Sequence, residues 1–111
     1  MRDDTTRLRD MLAAISRIER YARLGRERFE DDELVQVYFL HQLLILGEAA
    51  SRLSQELREA HPDLPWGQMI GLRNVLVHGY FAVEPDIVWQ VVDTELPALK
   101  RKLESILSEL S

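Results

Sequence analysis

The stretch "LVQVYFLHQLLILGEAA", residues 34 to 50, decides the fold. As an α-helix it is apolar around most of its circumference, and it lacks the strict alternation of a half-buried strand. One apolar stripe would suffice to pack a helix against neighbours in the same chain, so the surplus indicates burial on two sides. A homodimer interface is the economical explanation, although a helix at the centre of its own bundle would look similar.

The residues around this stretch predict one long helix from about Asp32 to Ala60. The carboxylates of "FEDDE", residues 29 to 33, suit a helix N-terminus because they oppose the positive end of the helix dipole. His61 and Pro62 should end the helix, because a residue before proline disfavours the α conformation. This segment would therefore be the longest element of the fold.

Two more helices flank it at the ends of the chain. The first is expected from about Asp4 to Leu24, where Gly25 supplies a C-terminal stop. The last is expected from Pro85, which is tolerated in a first turn, to about Leu110. Pro97 should kink this last helix or divide it in two.

A short third helix should begin near Pro65 or Trp66 and end at His78 or Gly79. Four helices joined by short connections predict an all-α fold, an antiparallel four-helix bundle, with one domain over residues 1–111. The wide apolar helix adds the expectation that the bundle is homodimeric.

Composition narrows the functional classes. The chain has 111 residues, of which 46% are hydrophobic and 30% charged, as expected for one ordinary core. The net charge of -5 argues against binding nucleic acid through bulk electrostatics, but residues 1–28 carry eight arginines and five acidic residues. Contact with a polyanion would have to be local.

Location follows from what the sequence lacks. There is no cysteine, so the chain can build neither a disulfide nor a thiolate zinc site. No apolar run approaches the roughly 20 residues needed to span a bilayer, and "MRDDTTRLRD" is too charged for a secretory signal. We expect a cytoplasmic protein with no membrane contact.

A polar cluster interrupts the apolar stretch "LRNVLVHGYF", residues 72 to 81: Arg73, Asn74, His78 and Tyr80. Arg73 is the only formal charge between residues 64 and 83, so the cluster would attract an anion. On a continuous helix Arg73 and Tyr80 share a face, while His78 lies about 140° from Arg73. Gly79 can break the helix and let the His78 ring turn toward the same space.

The chemistry that fits the cluster is attack on a phosphodiester. Arg73 can grip phosphate oxygens as a bidentate fork, and His78 can take or give a proton. In RNA the 2′-hydroxyl is the nucleophile, so neither a metal nor a cofactor is needed. One histidine cannot easily be both base and acid, but two copies across a dimer axis could divide those tasks. A purely structural hydrogen-bonded cluster has the same spacing, and spacing alone leaves both readings open.

The motif "RNVLVHGY", residues 73 to 80, matches the R-x4-H-x-Y motif of the HEPN superfamily. The longer run "ILGEAASRLSQELREAHPDLPWGQMIGLRNVLVHGYFAVEPDIVWQVVDTELPALKRKL" resembles the HepT-like ribonuclease toxins over about half the chain. The resemblance implies a homodimeric helical bundle that acts as a metal-independent endoribonuclease, with tRNA as the expected substrate. It also implies a partner, an MntA-like nucleotidyltransferase antitoxin.

The resemblance implies roles for individual residues. Arg73 and His78 become the catalytic pair, and Asn74 an orienting or phosphate-contacting group. Tyr80 becomes the position to which the antitoxin attaches AMP, a bulky anion that would fill the phosphate site and repel RNA. This chain has Gly79 where many relatives have a polar residue, which bears on the orientation of Tyr80.

Three residues of the long helix are further candidates. Gly47 indicates close helix packing, since glycine inside a helix costs about 1 kcal/mol relative to alanine. Glu48 could reach Arg73, or Arg73 of a second copy, and support the site. His41 is expected to be a hydrogen-bonded interface residue. It shares a face with Glu48, but two ligands do not make a metal site, so no metal is expected.

The remaining candidate residues have a structural interpretation as well as a functional one. Trp66 and Trp89 are expected to be core anchors, and Trp66 could stack on an RNA base only if it is exposed. The arginines of the first helix form a solvated face and are also the best candidates for contacts with a tRNA backbone. A noncatalytic helical module that binds a nucleotide or the nucleotidyltransferase remains the alternative function.

Overall fold

The computed structural model describes residues 4–80 and 83–110, and in this part of the chain every regular element is helical. The all-α prediction is confirmed, whereas the antiparallel four-helix bundle and the homodimer stay predictions. The helices are α1 Asp4–Ala22, α2 Arg26–Asp31, α3 Glu33–Ser51, α4 Gln55–Ala60, α5 Trp66–Leu76, α6 Pro85–Gln90 and α7 Leu96–Leu110.

Helix α3 occupies the centre of the fold. It lies against α1 on one side and α5 on another, while α7 packs on α1. Its N-terminus is capped by Asp32, whose carboxylate accepts hydrogen bonds from the backbone N–H groups of Leu34 and Val35. The carboxylate-rich start that the sequence predicts is therefore confirmed. Phe39, Leu43 and other apolar residues of α3 form the middle of the core.

By length and composition α3 would suffice to cross a membrane, contrary to the expectation that no segment approaches this length. The same test is passed by the core helix of a soluble protein, and 44% of this segment is buried inside the fold. Packing against both α1 and α5 buries apolar residues on two sides of this helix.

The prediction of one helix over residues 32–60 is wrong, because the helix is interrupted between α3 and α4. Ser54 caps α4, its hydroxyl accepting the N–H of Leu57 at 3.1 Å. The Asp4 carboxylate in turn accepts the backbone N–H and the hydroxyl of Ser54 at 2.8 and 2.6 Å. Leu53, 3% exposed, anchors the break in the core. Because Ser54 forms hydrogen bonds with both Asp4 and Leu57 outside the regular helical pattern, it is more stable as a helix cap than inside a continuous helix.

A short helix that the sequence analysis did not predict, α2, follows α1. Helix α1 ends at Ala22, two residues before the predicted end, and Gly25 adopts a φ of +92° that glycine permits. Helix α2 brings Phe29 into the core, where its ring stacks on Phe39 with centroids 5.2 Å apart. This contact supplies the burial that so short a helix needs.

The helical segment from Pro85 to Leu110 is continuous, but it is not a uniform α-helix. A π-helical turn over Val91–Glu95 separates α6 from α7, and the backbone N–H of Leu96 donates to the carbonyl of Val91. Pro97 has no N–H, and the widened turn directly before it takes up the distortion that a proline imposes. The predicted division at Pro97 is thus displaced to the preceding turn.

Helix α5 ends at Leu76 and not at His78 or Gly79 as predicted. The backbone N–H groups of His78 and Gly79 donate to the carbonyls of Val75 and Leu76, so the helix closes with tight turns. The predicted site residues His78 and Tyr80 therefore lie on the segment after α5, outside the helix that carries Arg73.

Candidate active site

Helices α3 and α5 approach closely at Gly47. A Cβ atom placed on Gly47 would lie 2.6 Å from Cβ of Arg73 and 2.7 Å from the carbonyl oxygen of Met69. Any side chain larger than hydrogen would therefore push α5 away. The interpretation of Gly47 as a site of close helix packing is confirmed. Its missing side chain leaves room for Arg73 to pack against α3.

Glu48 follows Gly47 and holds the Arg73 side chain. Arg73 donates from Nε to Oε2 of Glu48 at 2.8 Å and from Nη1 to Oδ1 of Asn74 at 3.0 Å. Arg52, the residue directly after α3, donates to Oε1 of Glu48 at 3.2 Å. Two arginines thus share one carboxylate, and the cluster keeps one positive charge that can attract an anion.

The ionisation of Glu48 follows from these contacts. The hydrogen bond from Arg73, with a smaller contribution from Arg52, holds the pKa of the Glu48 carboxyl below its ordinary value, against the opposing effect of partial burial. The carboxylate is therefore charged at neutral pH. Nη2 of Arg73 has no partner among the described residues, so both of its N–H groups can face a phosphate.

His78 is exposed and lies two residues beyond the C-terminal residue of α5. Its ring forms no hydrogen bond with any residue in the ranges 4–80 and 83–110. The next residue, Gly79, has a φ of +153°, a backbone conformation that residues with a side chain rarely adopt. Open space surrounds the position where a Cβ atom would lie. Glycine is therefore required here by the backbone turn and not by crowding.

Tyr80 contacts His41 of α3. Its phenolic oxygen lies 3.0 Å from Nδ1 of the His41 ring, and the two residues are 39 positions apart in the chain. His41 is exposed, and Tyr80 is half-buried beside Val83 and Val88. His41 is hydrogen-bonded as predicted, and its partner is a residue of the motif. Its predicted place in an interface stays a prediction.

The two contacts of α3 follow one pattern. Glu48 pairs with Arg73 and His41 pairs with Tyr80. His41 and Glu48 are seven apart, as are Arg73 and Tyr80, and the pairs run in opposite directions along the chain. This antiparallel arrangement with equal spacing is visible in the sequence, but the sequence-based predictions did not include it. Helix α3 thus fixes both ends of the R-x4-H-x-Y motif.

An open groove lies between α1 and α3 and reaches this cluster. Its volume is about 480 Å³, and we call it the arginine groove. The residues that line it are Arg7, Asp10, Ala13, Arg17, Leu44, Ile45, Glu48, Ala49, Arg52 and Val77. Because Glu48 and Val77 belong to its wall, the groove connects the α1 arginines with the neighbourhood of Arg73 and His78.

The structure brings most predicted site residues together, in two groups. Arg73, Asn74 and Glu48 form the first group, and Tyr80 with His41 the second. His78 stands in the chain between them and projects to solvent.

Two other expectations concern residues outside these groups. Trp66 is 8% exposed, and its indole N–H donates to the carbonyl of His61 at 2.8 Å, so it is a core anchor and not a base-stacking surface. Trp89 packs against Phe29 with ring centroids 5.5 Å apart. Among the described residues no group of three or more histidine or acidic side chains could hold a metal ion.

This arrangement can bind and polarise a phosphodiester. A guanidinium with free N–H groups is fixed by a carboxylate and an amide, and an exposed imidazole lies five residues further along the chain. A fixed guanidinium stabilises negative charge that develops on phosphate oxygens, and an imidazole moves protons near neutral pH.

Comparison with known proteins agrees with this chemistry. Residues 11–106 match the family model described as "Ribonuclease HepT-like". The "Probable ribonuclease HepT" of Thermococcus cleftensis is 34% identical over 100 residues, which is 89% of this chain and 91% of that protein. "Putative RNase TTE0752" of Caldanaerobacter subterraneus is 36% identical over 92 residues, covering 83% of this chain and 82% of that protein.

A third relative, "Putative RNase MJ1380" of Methanocaldococcus jannaschii, is 28% identical over 95% of this chain and 97% of its own length. No solved structure is significantly similar to the chain. The family model alone extends over most of the 111 residues. The chain belongs to the HepT-like ribonuclease family.

Proposed function

We propose that this protein is a homodimeric, metal-independent endoribonuclease that cleaves tRNA at a cleft shared by two copies of the chain. The observation that carries the proposal is the Arg73 guanidinium, which Glu48 and Asn74 fix on one side while its other N–H groups remain free, with an exposed His78 five residues further along the chain. The relatives named as ribonucleases support the same class of reaction.

The proposed reaction is attack by the 2′-hydroxyl of RNA on the adjacent phosphorus. His78 of one copy removes the hydroxyl proton, and His78 of the second copy protonates the departing 5′-oxygen. Arg73 stabilises the charge that develops on the phosphate oxygens. The products would carry a 2′,3′-cyclic phosphate and a 5′-hydroxyl. These reaction steps require no metal, because the nucleophile belongs to the substrate.

The surface of α3 supports the proposed dimer. Leu34, Tyr38 and Ile45 follow one another at helical spacing on α3. Leu34 is 82% exposed, whereas Tyr38 and Ile45 are half-buried. On the segment after α5, Val77 is 50% exposed and lines the arginine groove with Ile45. Exposed apolar side chains arranged in this way mark protein interfaces. Contact between two such faces would bring the sites of both copies together.

The arginine groove supports a path for the RNA backbone. Arg7, Arg17 and Arg52 outnumber the acidic residues Asp10 and Glu48 on its walls. The Arg17 side chain is fixed by a hydrogen bond from Nη1 to Oε1 of the buried Gln42 at 3.2 Å. Fixed guanidinium groups bind phosphates as bidentate forks. The groove is a local positive surface on a chain whose net charge is -5.

Regulation completes the proposal. An MntA-like nucleotidyltransferase antitoxin would attach AMP to Tyr80 and so neutralise this chain as the toxin of a toxin-antitoxin pair. Tyr80 stands two residues from His78, and a phosphodiester attached to it would add negative charge beside the site that must bind RNA phosphate. The adduct would repel the substrate and block the cleft.

The experiment is incubation of the purified protein with total tRNA in the presence of EDTA. We expect shortened products with cyclic-phosphate ends, and a loss of about a hundredfold or more in His78→Ala and Arg73→Ala. His61→Ala and Arg101→Ala are matched controls away from the site and should keep the activity. Cleavage by His78→Ala at the wild-type rate would overturn the assignment. Intact tRNA together with tight partner binding would favour a noncatalytic binding module instead.

A further inference from the structure

The contact between His41 and Tyr80 is not used by the proposed cleavage. Nδ1 of His41 lies 3.0 Å from the phenolic oxygen of Tyr80, within the distance at which a general base takes a proton. The histidine comes from the middle of α3 and the tyrosine from the segment after α5, so the tertiary fold creates this pair.

A tyrosine hydroxyl needs such a neighbour to react as a nucleophile near neutral pH. A phenol ordinarily loses its proton only around pH 10, whereas imidazole accepts protons around pH 6.5. When the ring proton of His41 is on Nε2, Nδ1 has a free lone pair, and the Tyr80 hydroxyl donates to it. A nucleophile hydrogen-bonded to an adjacent base is the usual arrangement for activation of a hydroxyl.

We propose that His41 is the general base that activates Tyr80 for nucleotidyl transfer. This inference rests on the proposed function, which makes Tyr80 the site of modification, and it assigns the residue that enables the reaction. His41 is then a catalytic residue of the modification, because it touches the reacting oxygen.

The step balances with a nucleoside triphosphate held by the nucleotidyltransferase. The Tyr80 oxygen forms a bond to the α-phosphorus, and the bond from that phosphorus to the oxygen bridging to the β-phosphate breaks. Pyrophosphate leaves with the electron pair, and the phenolic proton passes to Nδ1 of His41. The resulting imidazolium lies beside the new phosphodiester anion and stabilises it by charge attraction.

The position of His41 on α3 fixes the place of the base relative to Arg73. His41 lies two turns before Glu48, a rise of about 10.5 Å along the helix axis. The same helix is fastened to α5 through the contact between Gly47 and Arg73. Because a single helix holds both Tyr80 and Arg73, the tyrosine oxygen keeps its place relative to the catalytic arginine.

A test without the partner uses p-toluenesulfonyl fluoride, which forms a bond from sulfur to a tyrosine oxygen and releases fluoride. Peptide mass spectrometry would follow the labelling of Tyr80, with Tyr21 and Tyr38 of the same chain as internal controls. We expect the Tyr80 rate to fall about a hundredfold in His41→Asn, which can keep a hydrogen bond but cannot take the proton. Labelling of Tyr21 should not change.

Chemical rescue separates proton transfer from support of the structure. His41→Ala should regain part of its Tyr80 labelling when imidazole is added, because His41 is exposed and the small base can enter its place. His41→Asn should not regain labelling, since its side chain still fills the space. Equal Tyr80 rates in wild type and His41→Asn, or no rescue of a folded His41→Ala protein, would overturn the role of His41.

A second arm adds an MntA-like nucleotidyltransferase with ATP and Mg²⁺ and measures the mass of the chain. AMP should be added to wild type and not to Tyr80→Phe, and His41→Asn should lower the maximal rate of transfer and leave the KM for ATP unchanged. If wild type is modified at Tyr80 and His41→Asn is modified equally fast, only the inference fails. If wild type is not modified, the proposed regulation fails together with it.

Discussion

The carboxylate of Glu48 accepts hydrogen bonds from two arginines. Its Oε2 accepts from Arg73 at 2.8 Å and its Oε1 from Arg52 at 3.2 Å. The carboxylate orients Arg73 without cancelling the positive charge of the cluster, because Arg52 supplies a second cation. An arginine that is fixed before substrate binds loses less conformational entropy when it grips a phosphate.

The pairing predicts how stability depends on pH. The pKa of Glu48 is lowered from its ordinary value of 4.5, mainly by the hydrogen bond from Arg73. A lowered pKa stabilises the folded state above the ordinary value, and this contribution is lost as the pH falls through the lowered value. Glu48→Gln should therefore lower the urea midpoint at neutral pH, and the difference from wild type should shrink as the pH falls below 4.5.

The control for this prediction is Glu95→Gln, which removes an exposed carboxylate from the middle of the helical segment between Pro85 and Leu110. It should leave the midpoint close to that of wild type at every pH. A constant difference between wild type and Glu48→Gln across the acid range would show that the pair with Arg73 does not determine the effect.

At the scale of elements, the crossing of α3 and α5 determines where Arg73 stands. The crossing depends on the absence of a side chain at Gly47, which faces both Arg73 and the carbonyl of Met69. A backbone carbonyl cannot move without its helix. The distance between the two helices is therefore set by one residue in the middle of α3.

Gly47→Ala tests this contact against helix propensity. Alanine would favour an isolated helix by about 1 kcal/mol, but the new Cβ would overlap Met69 and Arg73. We expect a net loss of about 1–3 kcal/mol in the free energy of unfolding, with a larger fractional loss of RNA cleavage because Arg73 is displaced. Denaturant unfolding and the tRNA assay measure the two effects.

Gly71→Ala is the matched control, because Gly71 lies in α5 with nothing within 4 Å of its missing Cβ. This substitution should stabilise the protein by up to about 1 kcal/mol and leave cleavage unchanged. An equal response of the two variants would contradict the account of the crossing.

The sequence predicts the elements better than their interruptions. Apolar periodicity locates the long helices, since each must bury a stripe. The break after α3 depends on Asp4, which holds Ser54 from 50 positions away, and the place of α2 depends on the stacking of Phe29 on Phe39. Contacts over such separations leave no local pattern. The π-helical turn before Pro97 was predicted as a kink or a division at the proline itself, because the proline shows that a distortion is needed and not where it is absorbed.

The candidate site shows the same division. The motif pointed to Arg73, His78 and Tyr80, and Glu48 was considered as a residue that could reach Arg73. The contact of His41 with Tyr80 depends on the turn at Gly79 and on the antiparallel course of the chain beside α3. The equal spacing of the two pairs is present in the sequence, but it was not used to predict this contact.

At the scale of the whole molecule, charge and apolar surface are distributed unevenly. The arginines of the N-terminal region meet Arg52 around the arginine groove, while most of the remaining chain is acidic. The half-buried Ile45 of α3 and the exposed Val77 line the same groove. A second copy docked there would cover apolar surface, extend the positive cleft and supply the second imidazole that the proposed reaction needs.

The central claim is that two copies of the chain share one cleavage site that uses His78 from each. The most direct measurement mixes wild type with His78→Ala in varying proportions, lets the subunits exchange, and follows tRNA cleavage in EDTA. If both histidines act in one site, mixed dimers are inactive and activity falls with the square of the wild-type fraction. A linear fall would mean that each copy works alone, and would contradict the account.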